Sequence, residues 1–176
     1  MSELETLRLR LRRLRSQDEE FLALLDSDPL VMQYIHSGPR SLSQARRSAK
    51  LEVQTAHFYR QTGKWIAELR DGAAIGWVQL FKLSSAERDD LAVGYEFARD
   101  YWGQGYATEA NHSILEYAFK TLKRDRIMAM ARPENARSLR VLQKLGFQEA
   151  GHCQDEGGNP CNLYRLLAED WASLIQ

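Results

Sequence analysis

Long apolar runs are missing from this sequence of 176 residues, although 44% of the residues are hydrophobic. The apolar residues come in short groups, and no stretch approaches the roughly 18 apolar residues of a membrane-spanning helix. Residues 1–15 also lack the apolar segment of a secretory signal peptide. We therefore expect a cytoplasmic protein with no membrane partner.

An excess of charge of either sign is also absent. The chain has 24 basic and 24 acidic residues, so its formal net charge is zero. A chain without net charge creates no field that would gather a polyanion. We therefore expect no nucleic-acid partner.

Cysteine is scarce, with Cys153 and Cys161 as the only two residues of this type. No cluster of side chains has the spacing of a zinc site, so we expect no metal. In a reducing compartment the two cysteines are expected to be free thiols rather than a disulfide. They flank a turn-rich loop at residues 155–160 and could also face each other across a hairpin.

Internal repeats and linkers are not found either, and the length suits one domain of residues 1–176. The periodicities predict the order β-α-α-β-β-β-α-β-α-β-β, a mixed α/β fold. The first strand is predicted at residues 7–11, where leucines alternate with arginines. We interpret the arginines as the charged outer face of an edge strand, with an anion site as the alternative.

Capping and turn signals place the other elements. Ser41 and Gln44 have the form of a capping box, which predicts a helix from residue 41 to about residue 60. Asp71-Gly72 predicts a hairpin. A helix is expected between strands at residues 91–97 and 126–131, which makes these two strands parallel. The remaining predictions are strands at 65–69, 74–80, 147–153 and 161–167 and helices at 17–25, 135–145 and 168–175.

A glycine-rich stretch follows the strand at residues 91–97 directly and begins the next helix. It reads Tyr101-Trp102-Gly103-Gln104-Gly105-Tyr106-Ala107-Thr108-Glu109-Ala110. Two glycines in three residues allow a sharp turn and a close approach of the backbone to a ligand. The free N–H groups and the dipole of a helix N-terminus favour an anion. The stretch predicts a phosphate cradle, and a simple tight turn is the alternative.

A second motif lies downstream of this stretch. It reads Pro133-Glu134-Asn135-Ala136-Arg137-Ser138-Leu139 and leads to Lys144-Leu145-Gly146-Phe147, while Tyr95-Glu96-Phe97 precedes the glycines. Together these residues resemble the GNAT acyltransferases, and most of all their Rim-type branch, which includes acetyltransferases of ribosomal-protein N-termini. The resemblance covers nearly the whole chain, from the first strand to Trp171.

The resemblance implies a GNAT fold, a central mixed sheet with two splayed parallel strands flanked by helices, and acetyl-CoA as the donor. Pantetheine would lie between the two parallel strands and use backbone groups near Phe97 and Ala98. The pyrophosphate would lie on the cradle. The implied donor-binding residues are Phe97, Ala98, Trp102, Gly103, Gln104, Gly105, Tyr106, Ala107, Thr108, Asn135 and Ser138.

Two positions depart from the general GNAT pattern. Trp102 stands where Arg or Gln is usual, which we interpret as a mark of the Rim-type branch; the backbone donors of the cradle do not depend on it. Leu142 stands where many GNAT enzymes carry a tyrosine that protonates the leaving thiolate. That role must be filled elsewhere or be dispensable.

Glu96 and Ser138 are the candidate catalytic residues. Glu96 ends the central strand near the implied thioester and is the candidate general base, directly or through water. The alternative is that Glu96 pairs with an arginine or faces water. By resemblance to the Rim-type branch, Ser138 would protonate or hydrogen-bond the thiolate, and Asn135 would hold the helix start and the pantetheine arm. Their alternatives are a first-turn serine and a simple N-cap.

The acceptor is expected to be a primary amine that attacks acetyl-CoA directly. An α-amine has a pKa of about 7.7 to 8.0 and needs less help from a base than a lysine at about 10.4, which favours a protein N-terminus. A small-molecule amine acceptor and a non-catalytic CoA-binding protein are the alternatives.

The acceptor groove is expected at the loop after Val31, the helix from Ser41 and the loop at residues 153–160. There Asp155-Glu156 could attract a cationic amine or form a solvated turn. A monomer or homodimer is expected.

Overall fold

The computed structural model describes residues 3–35, 38–59, 61–83, 89–155 and 157–174. Within them, one mixed sheet of eight strands has the order β1-β2-β3-β4-β5-β6-β8-β7. The strands are β1 (Leu4–Glu5), β2 (Leu9–Arg13), β3 (Gly63–Leu69), β4 (Ala74–Lys82), β5 (Leu91–Phe97), β6 (Arg126–Ala131), β7 (Gln148–Gln154) and β8 (Pro160–Leu167). The α-helices are α1 (Glu19–Ser27), α2 (Leu42–Thr55), α3 (Tyr106–Glu116), α4 (Ala136–Lys144) and α5 (Ala168–Leu174).

The middle of the sheet contains its one parallel pair among the described strands. β5 and β6 run parallel on either side of α3, as predicted, and every other pairing in the sheet is antiparallel. The bounds of β5 and β6 agree with the predicted strands at residues 91–97 and 126–131. Short, strand-like apolar segments and a connecting helix were sufficient to place both strands.

The helices cover the two faces of the sheet. α1 and α2 pack on one face through a cluster that includes Leu22, Ala45, Ile66 and Trp77. α3, α4 and α5 pack on the other face through the larger cluster, whose members include Ile114, Leu142 and Trp171. Alternate residues of each central strand therefore point towards different sets of helices.

Capping residues set the helix starts as the sequence indicated. Ser41 forms the predicted capping box with Gln44 at the start of α2, and the Oδ1 atom of Asn135 accepts from the N–H of Ser138 at the start of α4. α3 continues into a π-helical turn at Tyr117–Thr121. Residues 60, 156 and 175, which belong to predicted helix ends and the predicted acidic loop, lie outside the described residues.

The first strand differs from its prediction. Leu7 is 89% exposed and precedes β2, which lies inside the sheet between β1 and β3 rather than at its edge. Arg12 is 3% exposed, not solvated. It makes a bidentate ion pair with Asp18, with both N···O distances 2.8 Å, and a further pair with Glu68. Because β3 pairs with β2 and the chain before α1 covers this face, the arginine is enclosed with its carboxylates.

The expectation of two free thiols is wrong. Cys153 and Cys161 stand directly opposite each other on β7 and β8, with Cα atoms 5.0 Å apart, and form a disulfide. The alternative, that they face each other across a hairpin, is confirmed. The hairpin register places the two side chains on the same side of the strand pair, at a Cα separation that a disulfide spans.

Candidate active site

A cleft opens in the sheet where β5 and β6 separate. The two strands pair at Ala92 with Met128 and at Val93 with Ala129, and no later pair joins them in the described structure. Beyond that point the strands diverge, as the resemblance implied. The cleft between them has a volume of about 990 Å³ and is lined by Glu96, Phe97, Ala131 and residues of the loops at the same end of the sheet.

The glycine-rich stretch forms one wall of this cleft. Gly103 and Gly105 have φ values of +74° and +84°, in the left-handed region that favours glycine. Gly105 is the N-cap of α3, and its carbonyl accepts the first helical hydrogen bond, from Glu109, at 3.0 Å. The N–H groups of the three residues between them therefore precede the first bond and have no acceptor within the helix. Together with the helix dipole they form a site that fits an anion.

The turn between β1 and β2 holds this helix start in place. The carboxylate of Glu109 accepts hydrogen bonds from the Thr6 hydroxyl at 2.6 Å and from the backbone N–H of Arg8 at 2.8 Å. The Arg8 guanidinium pairs with the same carboxylate at 2.7 Å and donates to the carbonyl of Gln104 at 3.0 Å. Glu109 thus ties the cradle to the sheet and directs its charge away from the free N–H groups.

Trp102 links the cradle to the end of β5. Its Nε1 atom donates to the carbonyl of Phe97 at 2.7 Å. The guanidinium of Arg137, from α4, lies 3.9 Å from the centre of the Trp102 ring, which places a cation on the cradle side of the cleft. The pattern that the resemblance implies has Arg or Gln at the position of Trp102. In this chain the cation is Arg137, which comes from α4.

Ser138 lies on the α4 side of the cleft, in the first turn of the helix. Its Oγ atom is 2.8 Å from the hydroxyl oxygen of Tyr95, which comes from β5. Asn135 caps the same turn by accepting from the Ser138 N–H at 3.1 Å. Burial raises the pKa of Tyr95 to about 12, although the hydrogen bond with Ser138 partly opposes that shift. The hydrogen bond from the Ser138 N–H shows that Asn135 is an N-cap, which was its alternative role, and Asn135 also lines the cleft.

Glu96 points to the opposite face of the sheet from Tyr95. It stands opposite Trp77 on β4, on the face that packs against α1 and α2. Glu96 is 9% exposed, and its Oε2 atom is a buried oxygen without a hydrogen-bond partner in the described structure. Glu96 also lines the cleft, so its carboxyl group is largely but not completely enclosed.

The protonation of Glu96 is set by its surroundings. Burial raises the pKa of Glu96 to about 7, Lys64 and Arg40 lower it, and Asp26 and Glu52 raise it. A carboxyl group with a pKa near 7 exchanges protons readily at neutral pH, which suits a general base.

Ion pairs border the side of the cleft next to α1 and α2. Arg40 pairs with Asp26, and Lys64 pairs with Glu52 at 2.8 Å. Val31, Met32, Tyr34 and Ile35, from the loop after α1, and Asp155, from the loop between β7 and β8, also line the cleft. These are the three segments that the sequence analysis assigned to the acceptor groove.

Asp155 forms a turn rather than an open acidic patch. Its Oδ1 atom accepts from the N–H groups of Gly157 and Asn159, both at 2.9 Å, and its Oδ2 atom pairs with Arg132 at 2.7 Å. Although its burial acts in the opposite direction, these hydrogen bonds lower the pKa of Asp155 to about 2. Its charge is therefore already balanced within the protein.

Most of the predicted site residues meet at the cleft. Glu96, Phe97, Trp102, Gly103, Gly105, Tyr106, Ala107, Thr108, Asn135 and Ser138 line it. Ala98 and Gln104 do not: the N–H of Ala98 donates to Ile75 at 2.9 Å, and the side chain of Gln104 donates to the carbonyl of Asp100 at 2.8 Å. Sequence reasoning assigned no role to Tyr95, Arg137 or Lys64, because only the fold brings them to the cleft.

The described residues were also searched for metal-binding groups and for membrane-spanning helices. Among the described residues, no group of three or more histidine, cysteine or acidic side chains is arranged to hold a metal ion. No helix in the described ranges is long and apolar enough to cross a membrane.

Comparisons with known proteins agree with this geometry. The sequence profile of the acetyltransferase (GNAT) domain matches residues 8–148. The uncharacterized N-acetyltransferase p20 of Bacillus licheniformis is 30% identical over 156 residues, which cover 88% of this chain and 87% of that protein.

Solved structures share the fold. A ribosomal-protein-S5-alanine acetyltransferase from Vibrio fischeri superposes with a TM-score of 0.77 at 21% identity, covering 97% of this chain and 99% of its own. A spermidine N-acetyltransferase from Vibrio cholerae, solved with CoA and spermine, superposes with a TM-score of 0.77 at 22% identity, covering 93% and 98%.

The cradle, the splayed strands and the profile match over most of the chain lead to one conclusion. This protein belongs to the GNAT family and is an N-acetyltransferase that uses acetyl-CoA as its acetyl donor.

Proposed function

We propose that this enzyme acetylates the α-amine of a peptide or protein N-terminus, with Glu96 as general base. The observation that carries the proposal is the buried Glu96 carboxyl, whose Oε2 atom lacks a partner and whose pKa is raised by burial to about 7. It lies on the acceptor side of the cleft, opposite the cradle and α4.

The residues of the donor side fit acetyl-CoA. The free N–H groups at the start of α3 would hold the pyrophosphate, and the Arg137 guanidinium adds a positive charge beside them. The backbone of β5 that faces the gap would hold the pantetheine arm, with Asn135 at its side. Acetyl-CoA supplies the acetyl group as an activated thioester. Phe97 offers less than expected, because its carbonyl already accepts from Trp102.

The pKa of Glu96 favours an α-amine over a lysine. Proton transfer from an α-ammonium, with a pKa of about 7.7 to 8.0, to a carboxylate with a pKa of about 7 is uphill by about 1 kcal/mol. The same transfer from a lysine at about 10.4 is uphill by about 5 kcal/mol. Glu96 is therefore suited to an amine that is already partly neutral at pH 7.

A polyamine is the second candidate acceptor. Asp26 and Glu52 line the acceptor side and act on Glu96, and both could hold a further ammonium group. The spermidine acetyltransferase with a similar fold supports this candidate. Both carboxylates are already paired with cations of the protein, which weakens it.

Mass spectrometry after incubation with acetyl-CoA tests the two acceptors. The panel contains a peptide with a free N-terminus, the same peptide blocked at that end but with an internal lysine, and spermidine. We expect the free N-terminus to be acetylated fastest. Preferential acetylation of spermidine, lost in Asp26→Asn and Glu52→Gln, would establish the second candidate instead.

A further inference from the structure

The position that supplies a hydrogen-bond donor to the leaving thiolate in many GNAT enzymes supplies none in this chain. Leu142, at the place where many relatives carry a tyrosine, is 1% exposed and packs in the core. Its side chain has no polar hydrogen. Any side-chain donor to the thiolate would therefore come from another part of the cleft wall.

Tyr95 and Ser138 place two hydroxyl groups on the donor side of the cleft. Both residues line it, and their oxygens are 2.8 Å apart although the residues are 43 positions apart in the chain. The Asn135 cap fixes the backbone of Ser138 from one side, and Tyr95 holds its hydroxyl from the other. Ser138 also lies in the first turn of α4, where the helix dipole favours negative charge.

The direction of the hydrogen bond follows from the acidity of the two groups. The Tyr95 hydroxyl oxygen lies 2.8 Å from Ser138 Oγ and 3.4 Å from the Ser138 carbonyl oxygen. Because a phenol is a stronger acid than an aliphatic alcohol and the contact with Oγ is the shorter one, we assign the Tyr95 O–H as the donor to Ser138 Oγ. The hydrogen of Ser138 is then left for a third group. A serine that accepts from Tyr95 is oriented to donate to an atom in the cleft.

Proton transfer from this pair to the thiolate is disfavoured. A thiol has a pKa of about 8.5, well below that of either hydroxyl, so neither would give up its proton to the sulfur. Because burial raises the pKa of Tyr95 to about 12, its hydroxyl stays protonated throughout the working pH range. The pair therefore acts as a lasting hydrogen-bond donor, not as an acid.

We propose that Tyr95 is a positioning residue that orients the Ser138 hydroxyl to stabilise the CoA thiolate. In the transfer a C–N bond forms and the C–S bond breaks. Sulfur leaves with the electron pair as a thiolate, which accepts the Ser138 O–H, and the amine proton goes to Glu96. This proposal rests on the proposed function in that the pantetheine arm of acetyl-CoA lies beside Asn135 at the start of α4, and it does not depend on which amine is the acceptor.

The first test measures the pKa of the CoA thiol bound to the enzyme, from the ultraviolet absorbance of the thiolate during a pH titration. We expect the thiol pKa to be about one unit higher in Tyr95→Phe and in Ser138→Ala than in the unmodified protein, which corresponds to a tenfold loss of thiolate stabilisation. Tyr117→Phe, which removes a tyrosine hydroxyl outside the cleft, should titrate like the unmodified protein. Thermal unfolding of each variant checks that it is folded.

The outcomes separate the role of Tyr95 from the role of Ser138. If Ser138→Ala is shifted and Tyr95→Phe is not, the role of Tyr95 is overturned and that of Ser138 stands. If neither is shifted, Ser138 does not face the sulfur, and both roles are overturned. An equal shift in Tyr117→Phe would show a nonspecific effect and would also overturn the role of Tyr95.

The second test is a double-mutant cycle on kcat/KM for acetyl transfer. If Tyr95 acts through Ser138, each single variant loses about tenfold and the double variant loses no more than either. Ser138→Thr, which keeps the hydroxyl, should retain most of the activity. Independent losses that multiply to about a hundredfold would overturn the proposal.

Discussion

The two sides of the cleft are built in different ways. The donor side consists largely of backbone: free N–H groups of α3, two glycines with positive φ, and a capped first turn of α4. The acceptor side consists of side chains from α1, α2, β3 and β5, arranged as ion pairs around the carboxyl of Glu96.

This difference matters for specificity. A backbone cradle depends on chain conformation and tolerates many side chains, so one donor can be kept while sequences change. An acceptor side built from charged side chains changes its preference whenever one of them changes. We therefore expect substitutions on the donor side to alter the KM for acetyl-CoA, and substitutions on the acceptor side to alter the choice of amine and the pH dependence.

The largest effect is expected for Glu96→Gln. Removing the general base should lower kcat/KM for an N-terminal peptide by about a thousandfold above pH 7. Because Glu96 is a carboxylate only above its pKa of about 7, the rise in activity through that pH should disappear in the variant. Initial rates over a range of pH measure this.

The KM for acetyl-CoA should not change in Glu96→Gln, since the donor side is intact. Glu116→Gln, which removes an exposed carboxylate on α3, is the matched control and should keep the pH profile. A Glu96→Gln profile that still rises near pH 7 would remove Glu96 from the mechanism.

The same carboxyl should also make stability depend on pH. The pKa of Glu96 is about 7 in the folded protein, above the value of about 4.3 expected when unfolded, so the folded state binds the extra proton between these values. Its contribution to stability is therefore present at low pH and is lost as the pH rises through about 7. Glu96→Gln should be more stable than the unmodified protein at pH 8, by roughly 4 kcal/mol at most, and not at pH 4. Thermal unfolding at both pH values measures this, and a pH-independent difference would contradict it.

The next largest effect is expected from the buried ion pair that anchors α1 on the acceptor side. Asp18→Asn leaves the guanidinium of Arg12 buried with half of its countercharge, so the free energy of unfolding should fall by about 3 kcal/mol. Urea denaturation measures the loss. Glu20→Gln, which breaks the fully exposed pair with Arg46, should have little effect. Equal losses in the two variants would mean that burial does not strengthen the first pair.

A smaller effect is expected for the disulfide between β7 and β8. Replacing both Cys153 and Cys161 with serine frees a loop between residues eight positions apart, which should cost about 2 kcal/mol of unfolding free energy. Reduction of the unmodified protein should lower its stability to the same value, and the double variant should not respond to the reductant. A protein whose denaturation is unaffected by reductant would show that the bond contributes nothing to stability.

The smallest effect is expected on the donor side. Gly105→Ala places a Cβ at a φ of +84°, which costs about 1 to 2 kcal/mol and tilts the free N–H groups, so the KM for acetyl-CoA should rise about tenfold with little change in kcat. Gly72→Ala imposes similar strain in the hairpin between β3 and β4, away from the cleft. Both variants should lose stability, and only the first should lose affinity for the donor. A KM that rises equally in both would assign the effect to stability alone.

Much of the donor side could be read from the sequence. The glycines, the Asn135 cap and the strands at residues 91–97 and 126–131 were all predicted, because each depends on hydrogen bonds and backbone angles within a few neighbouring residues. Arg12 was predicted wrongly for the opposite reason. Alternation along one strand says which residues share a face, but not whether another part of the chain will cover that face.

By itself the sequence determined the cradle, the parallel strand pair and the resemblance to GNAT enzymes, since local conformation and motif spacing suffice for these. Only the tertiary structure decided that Tyr95 meets Ser138 and that Glu96 is buried with a raised pKa. The physical reason is distance along the chain. Contacts between separate elements, and the removal of water that shifts a pKa, exist only once the sheet and its helices have packed.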